Sequence, residues 1–363
     1  MLTTSGDRTA ALRRYVQRRL VGLREGEALP SVRSIMRVCG ASQAKVDQIL
    51  GEFSAAGLIE RVPRRGLFKS GKAGTTLPSP VIDLIYCGVP EGRALREVSF
   101  HSELVDRLAR RATQRGQAIR VHEFHIGSSY EGLGELSGRP EMMCCIIVGE
   151  NHPEIVRAAE THHVAWVSLF PERSLTGRQT ILIDAEAVVR LQLEHLWSLG
   201  HERIAYLHVV DERVMHRDHV LRREAFYKLM AERGLTVRDG WVAYGDYFET
   251  PFKRAFAAVL DGEDQPTAAI VSDPHLPWAY AVLRERGLAA GRDFSLVGTD
   301  DLALAGHIDP PATTVRVCRT KAVEMAMEML DEVAAGTAID EPRYLPVELV
   351  IRGSTGELLI ADC

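Results

Sequence analysis

Residues 193–205 read LEHLWSLGHERIA, and this stretch decides the fold of the larger part of the chain. Its first half carries apolar residues at helical spacing. Gly200 and His201 then predict a turn, and the apolar residues from Ile204 onward predict a strand over 204–209. A helix that leads through a short glycine-bearing turn into an apolar strand is the repeating unit of α/β folds with a parallel sheet.

The same alternation extends in both directions from this stretch, starting at residue 81. Strands are predicted at 81–87, 118–124, 143–148, 164–169, 180–183, 204–209, 241–244, 268–271 and 295–298, and helices at 99–114, 154–162, 185–199, 222–233, 252–260, 279–286 and 320–335. Two successive series of this kind predict two α/β lobes with a cleft between them.

The chain has 363 residues, of which 46% are hydrophobic, so it can bury a large core and form two or three domains. No apolar run approaches the roughly 20 residues of a membrane span, and the first residues lack the apolar segment of a signal peptide. We therefore expect a cytoplasmic protein. The 6 cysteines are scattered without a C-x-x-C pair, which indicates reduced thiols and argues against zinc or redox sites.

Charge divides the chain into two parts. Residues 1–76 carry 14 Lys+Arg and 6 Asp+Glu, a balance of +8, whereas residues 77–363 have a balance of −13. A small basic module joined to a larger acidic one favours a polyanionic partner for the basic part. The segment AGTTLPSP at 73–80 is small, polar and proline-bearing, so we predict a linker between a domain over 1–72 and a domain over 81–363.

The basic part has the pattern of a helix-turn-helix followed by a basic hairpin. After a first amphipathic helix, LPSVR at 29–33 begins a short helix that Gly40 ends, and a further helix is predicted over 42–56. Two short strands, 58–62 and 67–69, then flank a turn that carries Arg64, Arg65 and Gly66. The second helix of such a pair fits the DNA major groove, and the hairpin arginines can reach phosphates or the minor groove.

This order resembles the winged-helix domain of GntR-type transcription regulators. The resemblance is carried by LPSVR (29–33), GASQAKV (40–46), FSAAGLIER (53–61) and RRGLF (64–68). It implies that Arg33 contacts a phosphate and that Gln43 can pair with an adenine. Gln43 and Asp47 depart from the family pattern, which often has arginines at these positions. Asp47 would repel phosphate unless it accepts from a cytosine amine or pairs with a basic neighbour. The predicted DNA-binding residues are Arg33, Ser42, Gln43, Ala44, Lys45, Arg64, Arg65 and Gly66; the alternative is a winged helix used for protein contacts.

The larger part resembles LacI/GalR-type effector domains. The motifs, in that family's order, are LEHLWSLGHERIA (193–205), PTAAIVSD (266–273), FSLVGTDD (294–301), PPATTV (310–315) and PVELVIRGST (346–355). The resemblance implies a type I periplasmic-binding-protein-like fold, with a first lobe over about 81–183 and 319–340 and a second over about 184–315 and 341–363. The whole chain then looks like an arabinose-repressor-like transcription regulator.

The same resemblance implies an effector site. Arg222 and Asp300 fall where sugar hydroxyls are held, and Tyr247 falls where an aromatic side chain often stacks on a sugar. Ser272, Phe170 and Val317 depart from the usual polar residues, so a glycoside, a modified sugar or a nucleoside stays open beside a simple monosaccharide. The alternative for Arg222 and Asp300 is a structural ion pair.

Three other readings have less support. The glycines of 127–134 match no phosphate-binding motif. The histidine pairs at 162–163 and at 216 and 219 lack a third metal ligand at a recognisable spacing. Asp300-Asp301 could be a catalytic carboxylate pair, but no G-x-S-x-G motif or metal-ligand set accompanies it. We therefore predict no cofactor, no metal and no enzyme activity.

These observations predict a homodimeric, ligand-responsive transcription regulator, a repressor that reads a pseudo-palindromic DNA operator and senses a small polar, sugar-like metabolite. The helix near 99–114 is expected to contribute to the dimer interface. Two alternatives stay open: a solute-binding protein, and a regulator whose two-lobe domain has no small ligand and serves for dimerisation or protein contacts.

Overall fold

The computed structural model describes residues 12–13, 15–17, 19–20, 23–55, 57–70, 81–89, 99–125, 142, 144–149, 153–162, 164–171, 178–209, 217–245, 248–262, 264–335 and 337–358. The predicted linker, the glycine-bearing loop at 127–134 and Tyr247 lie outside these residues. The chain divides into two compact units, Met1–Ile181 with Thr320–Arg343, and Leu182–Arg319 with Tyr344–Cys363.

The N-terminal module consists of helices and a hairpin close to the predicted positions. A first helix, α1, covers the described residues between 12 and 20, followed by α2 (Val32–Cys39), α3 (Gln43–Ala55), β1 (Ile59–Val62) and β2 (Gly66–Lys69). The two strands are antiparallel. The module encloses its own apolar core, made of Leu12, Val16, Leu20, Leu29, Ile35, Val46, Ile49, Leu50, Phe53, Ile59 and Leu67.

The rest of the first unit is built on a six-stranded sheet with the strand order β13-β7-β6-β5-β3-β4. Its elements are β3 (Val81–Val89), α4 (Ser99–Gln114), β4 (Ala118–His125), β5 (Cys144–Gly149), α5 (Pro153–Thr161), β6 (Ala165–Leu169), β7 (Thr180–Ile183) and β13 (Arg343–Leu345). The pairs from β4 through β7 are parallel. The strands are therefore wound as the sequence pattern predicts for an α/β lobe.

The second unit has a sheet of the same size with the order β14-β12-β11-β10-β8-β9. Its elements are α6 (Ala185–Ser198), β8 (Ile204–Val209), α7 (Arg217–Glu232), β9 (Val242–Gly245), α8 (Glu249–Leu260), β10 (Ala268–Val271), α9 (Leu276–Glu285), β11 (Ser295–Asp300), α10 (Ala303–His307), β12 (Thr313–Val317) and β14 (Val347–Val350). A further helix, α11 (Arg319–Ala334), begins at the last residue of the segment Leu182–Arg319 and belongs to the first unit from Thr320 onward. Only β14 runs antiparallel to its neighbour among the described pairs of this sheet.

Helices cover both faces of the second sheet, because its strands are apolar on both sides. Ile204 and Tyr206 of β8 face the buried side chains of α6 and α7. Ala205 and Leu207, which alternate with them, face those of α8 and α9. Strands that bury both faces read as continuous apolar runs, which is the pattern of the central strands of a doubly wound sheet.

His201 fixes the turn within residues 193–205. Its Nδ1 lies 2.9 Å from the hydroxyl of Thr267, and its Nε2 lies 2.8 Å from that of Ser295. Gly200 has φ 88°, a value that favours glycine. The imidazole therefore ties the turn between α6 and β8 to the amino ends of β10 and β11, and burial lowers its pKa.

Three helices of the second unit begin earlier than predicted. The prediction placed their starts at residues 222, 252 and 279, whereas α7, α8 and α9 begin at Arg217, Glu249 and Leu276. Pro251 and Pro277 lie within the first turns of α8 and α9, where a missing backbone N–H costs nothing. Counting from the first apolar residue misses such turns, since they are polar or contain proline.

Candidate functional site

The first candidate surface is the exposed side of the helix pair in the N-terminal module. The Ser31 hydroxyl caps α2 by accepting a hydrogen bond from the Ser34 amide at 3.2 Å, and Gly40 ends the helix with φ 60°. Val46, Ile49 and Phe53 anchor α3 in the core. Because these side chains point inward, the first turn of α3 presents its other residues to solvent.

All of the predicted DNA-binding residues lie on the surface of this module. Lys45 is partly exposed, and the others are exposed: Arg33, Ser42, Gln43, Ala44, Arg64, Arg65 and Gly66. Within the described part of the chain, no carboxylate lies within ion-pair distance of Arg33, Lys45, Arg64 or Arg65. Exposed cations without a carboxylate partner are available to neutralise phosphates, although the Arg65 guanidinium also lies 5.5 Å from the centroid of the Phe68 ring.

Asp47, the acidic departure on α3, has a basic partner. Its Oδ1 lies 3.1 Å from Nη2 of Arg61, which belongs to β1. This contact is one of the two ways in which the sequence allowed the carboxylate to be tolerated. It links the middle of α3 to the hairpin, and both side chains remain largely exposed.

The hairpin is extended into a small three-stranded arrangement by the segment before α2. The amide of Leu29 donates to the carbonyl of Leu67 at 2.8 Å, and the amide of Lys69 donates to the carbonyl of Glu27 at 2.9 Å. Ala28 and Phe68 form an antiparallel bridge. The turn of the hairpin is thereby held at a defined position on the module, and it carries two arginines.

The second candidate site lies at the carboxyl edge of the second sheet. Asp300 ends β11, Val317 ends β12, and Ser272 directly follows β10. Arg222 lies on α7, the helix that follows β8. The carboxyl ends of parallel strands meet at one edge, which is where open α/β sheets bind ligands.

Arg222 and Asp300 lie together at this edge. Nη2 of Arg222 is 3.9 Å from Oδ1 of Asp300 and 2.6 Å from Oδ2 of Asp218. Arg222 is only 6% exposed, and its Nε has no hydrogen-bond partner among the described residues. The guanidinium therefore has one firm partner and one distant partner, and it retains donor capacity.

Burial and charge act against each other in this group. Burial raises the pKa of Asp300, and the positive charge of Arg222 only partly offsets this effect. For Arg222, burial alone would lower the pKa, but the charges of Asp218 and Asp300 raise it above its ordinary value. A fixed guanidinium beside a carboxylate can donate to and accept from neighbouring hydroxyl groups of one ligand.

The paired aspartates point to different partners. The carboxylate of Asp301 accepts from Nε of Arg316 at 2.7 Å and from Nη2 of Arg352 at 2.6 Å. The side chain of Asp300 is 22% exposed, whereas that of Asp301 is 10% exposed. Asp300 is thus available to a ligand, and Asp301 is occupied within the protein.

The other predicted effector residues have different settings. Ser272 is partly exposed and lies before a buried aromatic group in which His275 stacks on Phe252 at 4.9 Å. Val317 is fully buried, which does not favour a contact with a ligand; its assignment to the effector site stays a prediction. Phe170, in the first unit, has φ 49° and packs against Phe100 with 5.7 Å between ring centroids.

Asp218 and Arg319 are functional candidates that the sequence interpretation missed. Asp218 precedes Arg222 by four residues on α7, a spacing that could have indicated an ion pair had the helix been predicted to begin at Arg217. Arg319, which is 7% exposed, donates to the backbone carbonyls of Asp300 and Asp301 at 2.8 and 3.0 Å. A contact of this kind leaves no sequence signal, because any residue supplies a carbonyl.

The described residues contain neither a candidate metal-ion group nor a helix suited to cross a membrane. No group of three or more His, Cys, Asp or Glu residues there could hold a metal ion. None of the helices described is long and apolar enough to cross a membrane. Of the histidines considered as ligands, His163 and His216 lie outside the described part of the chain.

The chain is similar to known transcriptional repressors and to one known domain family. Residues 193–355 match the periplasmic binding protein-like domain family. The chain is 22% identical over 333 residues to the HTH-type transcriptional repressor MelR of Bacillus subtilis (strain 168), an alignment that covers 88% of this chain and 90% of MelR. It is 28% identical over 249 residues to the HTH-type transcriptional repressor CytR of Escherichia coli (strain K12), covering 68% and 69%.

Among solved structures, the lac repressor dimer bound to operator and the anti-inducer ONPF has the same fold. The TM-score is 0.65 at 23% identity, with 77% of this chain and 95% of that chain covered. The part of this chain covered by that match is about as long as the predicted two-lobe domain, residues 81–363. The match to MelR covers a larger share, so it extends beyond the length of that domain.

Proposed function

We infer that this chain is a transcription regulator of the LacI/GalR type, and that it acts as a ligand-responsive repressor through its periplasmic binding protein-like effector domain. The observation that carries this inference is the buried guanidinium of Arg222 beside Asp300, at the carboxyl edge of the matched domain. The relatives named above are repressors rather than enzymes, in agreement with the sequence prediction.

For DNA binding we propose a winged helix of the GntR type over residues 1–72. Its support is the turn between α2 and α3, followed by an antiparallel hairpin whose second strand also pairs with residues 27–29. In this proposal the first turn of α3 reads bases, while Arg33 and the hairpin arginines contact phosphates. Residues 73–80 then link this module to the effector domain.

For the ligand we propose a small, hydroxyl-rich molecule such as a sugar, a glycoside or a nucleoside. The donors of Arg222 and the acceptors of Asp300 can engage two neighbouring hydroxyl groups, and burial strengthens charge-assisted hydrogen bonds. Ser272, Phe170 and Val317 stand where polar residues are usual in the family, so a glycoside or a nucleoside stays open beside a free monosaccharide. Binding would then change operator affinity by a coupling of about 1–3 kcal/mol.

We also propose that the repressor binds its operator as a homodimer, with α4 at the interface. A single helix-turn-helix contacts few base pairs, and two copies on a two-fold site supply the missing discrimination. Selection of duplexes from a random-sequence pool by the full chain should yield an inverted repeat. Sedimentation at micromolar concentration should show a dimer. A selected site without repeat, or a monomer, contradicts this proposal.

The effector site is tested by thermal-shift screening of the full chain with D-galactose, D-ribose, lactose, cellobiose and cytidine. A ligand must raise the melting temperature by mass action. The compound with the largest shift should change the affinity for the selected DNA site in the wild type but not in Arg222→Ala or Asp300→Ala, while ligand-free DNA binding stays within about twofold.

Arg284→Ala is the matched control, because this exposed arginine lies in the last turn of α9, away from the carboxyl edge. It should respond to the compound like the wild type. If Arg222→Ala and Asp300→Ala also respond normally, the site assignment is wrong. If a wider set of sugars and nucleosides produces no shift at all, the two-lobe domain serves dimerisation or protein contacts instead.

A further inference from the structure

The turn that carries Asp300 has an unusual backbone. Asp300 has φ 96° and Asp301 has φ 49°, so two consecutive non-glycine residues occupy the left-handed region. Side chains rarely adopt this conformation, and it persists only where surrounding contacts impose it. The Asp300 carboxylate is therefore presented by a turn that other residues must hold in place.

Contacts from β12, the C-terminal segment and the loop after β10 hold one side of the turn. The buried carboxylate of Asp273 accepts from the amide of Leu302 at 2.8 Å, and the hydroxyl of Thr314 accepts from the amide of Asp301 at 3.4 Å. Arg316 and Arg352 bind the carboxylate of Asp301. All of these residues belong to the second unit.

Arg319 holds the backbone carbonyls of Asp300 and Asp301. Unlike the other residues that hold the turn, it lies at the boundary between the two units. It is the first residue of α11, and the boundary between the two units falls between Arg319 and Thr320. The helix that starts at Arg319 thus continues into the first unit. One guanidinium, with Nη1 on Asp300 and Nη2 on Asp301, joins the ligand-presenting turn to the start of that helix.

We propose that Arg319 is a positioning residue that couples occupancy of the Asp300 carboxylate to the start of α11, and hence to the first unit. This proposal rests on the proposed effector function of Asp300. A ligand that binds Asp300 acts on a turn whose two carbonyls are fixed to a single side chain. Any rearrangement of that turn must either move the beginning of α11 or break these two hydrogen bonds.

The planar fork of arginine is essential to this role. Its two terminal nitrogens can serve two carbonyl oxygens at once, whereas the single ammonium group of lysine is a point donor on a flexible stem. Arg316 is the natural control, because it holds the same turn through the Asp301 side chain but lies inside β12, three residues before α11. Variants of Arg316 and Arg319 therefore distinguish loss of support for the turn from loss of the link between the turn and α11.

The first experiment compares amide hydrogen exchange in the ligand-free wild type, Arg319→Gln and Arg316→Gln. We expect at least tenfold faster exchange at residues 301–302 in both variants, and at residues 323–326 of α11 in Arg319→Gln alone. Arg319→Lys should retain part of the protection if Arg319→Gln proves too unstable to study. Unchanged exchange in α11 for both Arg319 variants overturns the proposal, whatever the effector is.

The second experiment measures the ratio of affinities for the selected DNA site with and without a saturating compound, using the member of the panel above that shifts the wild type most. In Arg319→Gln we expect this ratio to fall towards 1 even at saturation, with ligand-free DNA affinity within about twofold of wild type. Arg316→Gln should need more compound but reach the full response. A full response of Arg319→Gln at saturation overturns the proposal. If the wild type itself does not respond, the proposed function is contradicted. The hydrogen-exchange comparison then still decides the role of Arg319.

Discussion

Arginine is used in opposite ways at the proposed DNA-binding surface of the N-terminal module and at the carboxyl edge of the second sheet. On the module, Arg33, Arg64 and Arg65 are exposed and have no carboxylate partner among the described residues. At the sheet edge, Arg222 and Arg319 are buried and bound to carboxylates or carbonyls of the protein.

The difference favours a different kind of ligand at each surface. Unpaired, solvated cations neutralise a polyanion through many weak contacts that salt screens. Buried and paired cations are fixed in orientation and can hold a small ligand or a strained turn with little further loss of entropy. The first surface should therefore tolerate single changes in shape but not loss of charge, whereas the second should be sensitive to both.

The largest effect is expected from removing charge at the module. Changing Arg33, Arg64 and Arg65 together to Ala should weaken binding to a random-sequence 30-base-pair duplex by roughly 100- to 1000-fold near 0.15 M salt, because about three phosphate contacts are lost. The slope of log affinity against log salt, measured by fluorescence anisotropy, should fall by about 3. Arg157→Ala, an exposed arginine of α5, should change neither. An unchanged slope would remove these residues from the DNA interface.

The next effect concerns available space. A Cβ added at Gly298 would lie 2.1 Å from Oδ1 of Asp273 and 3.0 Å from the Thr314 hydroxyl. Gly298→Ala should therefore lower the free energy of unfolding by roughly 2–4 kcal/mol in urea titrations. Gly51→Ala is its counterpart on α3, where nothing lies within 4 Å, and should raise the stability of the module by about 0.5–1 kcal/mol. Equal effects of the two changes would contradict the contrast in packing.

A smaller effect concerns pH. Burial raises the pKa of Asp273 well above its ordinary value of 3.8, so its charged form destabilises the folded state. The stability it contributes is fully present below pH 3.8 and is lost as the pH rises through the folded-state pKa, by up to about 1.4 kcal/mol per pH unit. Asp273→Asn should flatten this part of the unfolding profile measured by calorimetry.

The control for Asp273 is an aspartate with the opposite shift. Hydrogen bonds from Arg292 and the Ala289 amide lower the pKa of Asp293, so its stabilising contribution is present above its unfolded-state pKa and is lost as the pH falls. Asp293→Asn should leave the loss of stability above pH 3.8 unchanged. If it removes that loss as Asp273→Asn does, the effect does not arise from the buried carboxyl group.

The smallest effect is expected at Asp47, the carboxylate of α3 that pairs with Arg61 of the hairpin. Asp47→Asn should change the free energy of unfolding by less than about 1 kcal/mol, because its pair with Arg61 is exposed. Releasing Arg61 and removing a negative charge should tighten binding to the random duplex by roughly two- to fivefold at low salt. Weaker binding would instead assign Asp47 a direct contact with a base.

The sequence was sufficient for the alternation of strands and helices, because two-sided burial produces apolar runs such as those of β8 and β10. It also placed Arg222 and Asp300 in one site, through the resemblance of its motifs. It did not predict Asp218 as a partner of Arg222, because the polar first turn of α7 carries no apolar periodicity. The role of Arg319 could not be predicted, since a bond to a carbonyl depends on the path of the backbone and not on residue type.

The hydrogen bonds of residues 27–29 to β2 bear on how this chain could have arisen. They join the segment before the helix pair to β2, so the described strand pairs and buried core residues of the module all lie before residue 71. A recombination event within 71–80 would therefore transfer all of these described strand pairs and core residues together. In evolutionary terms such a module can be exchanged as one piece. A two-lobe domain of one ancestry can acquire an N-terminal module of another in a single genetic step.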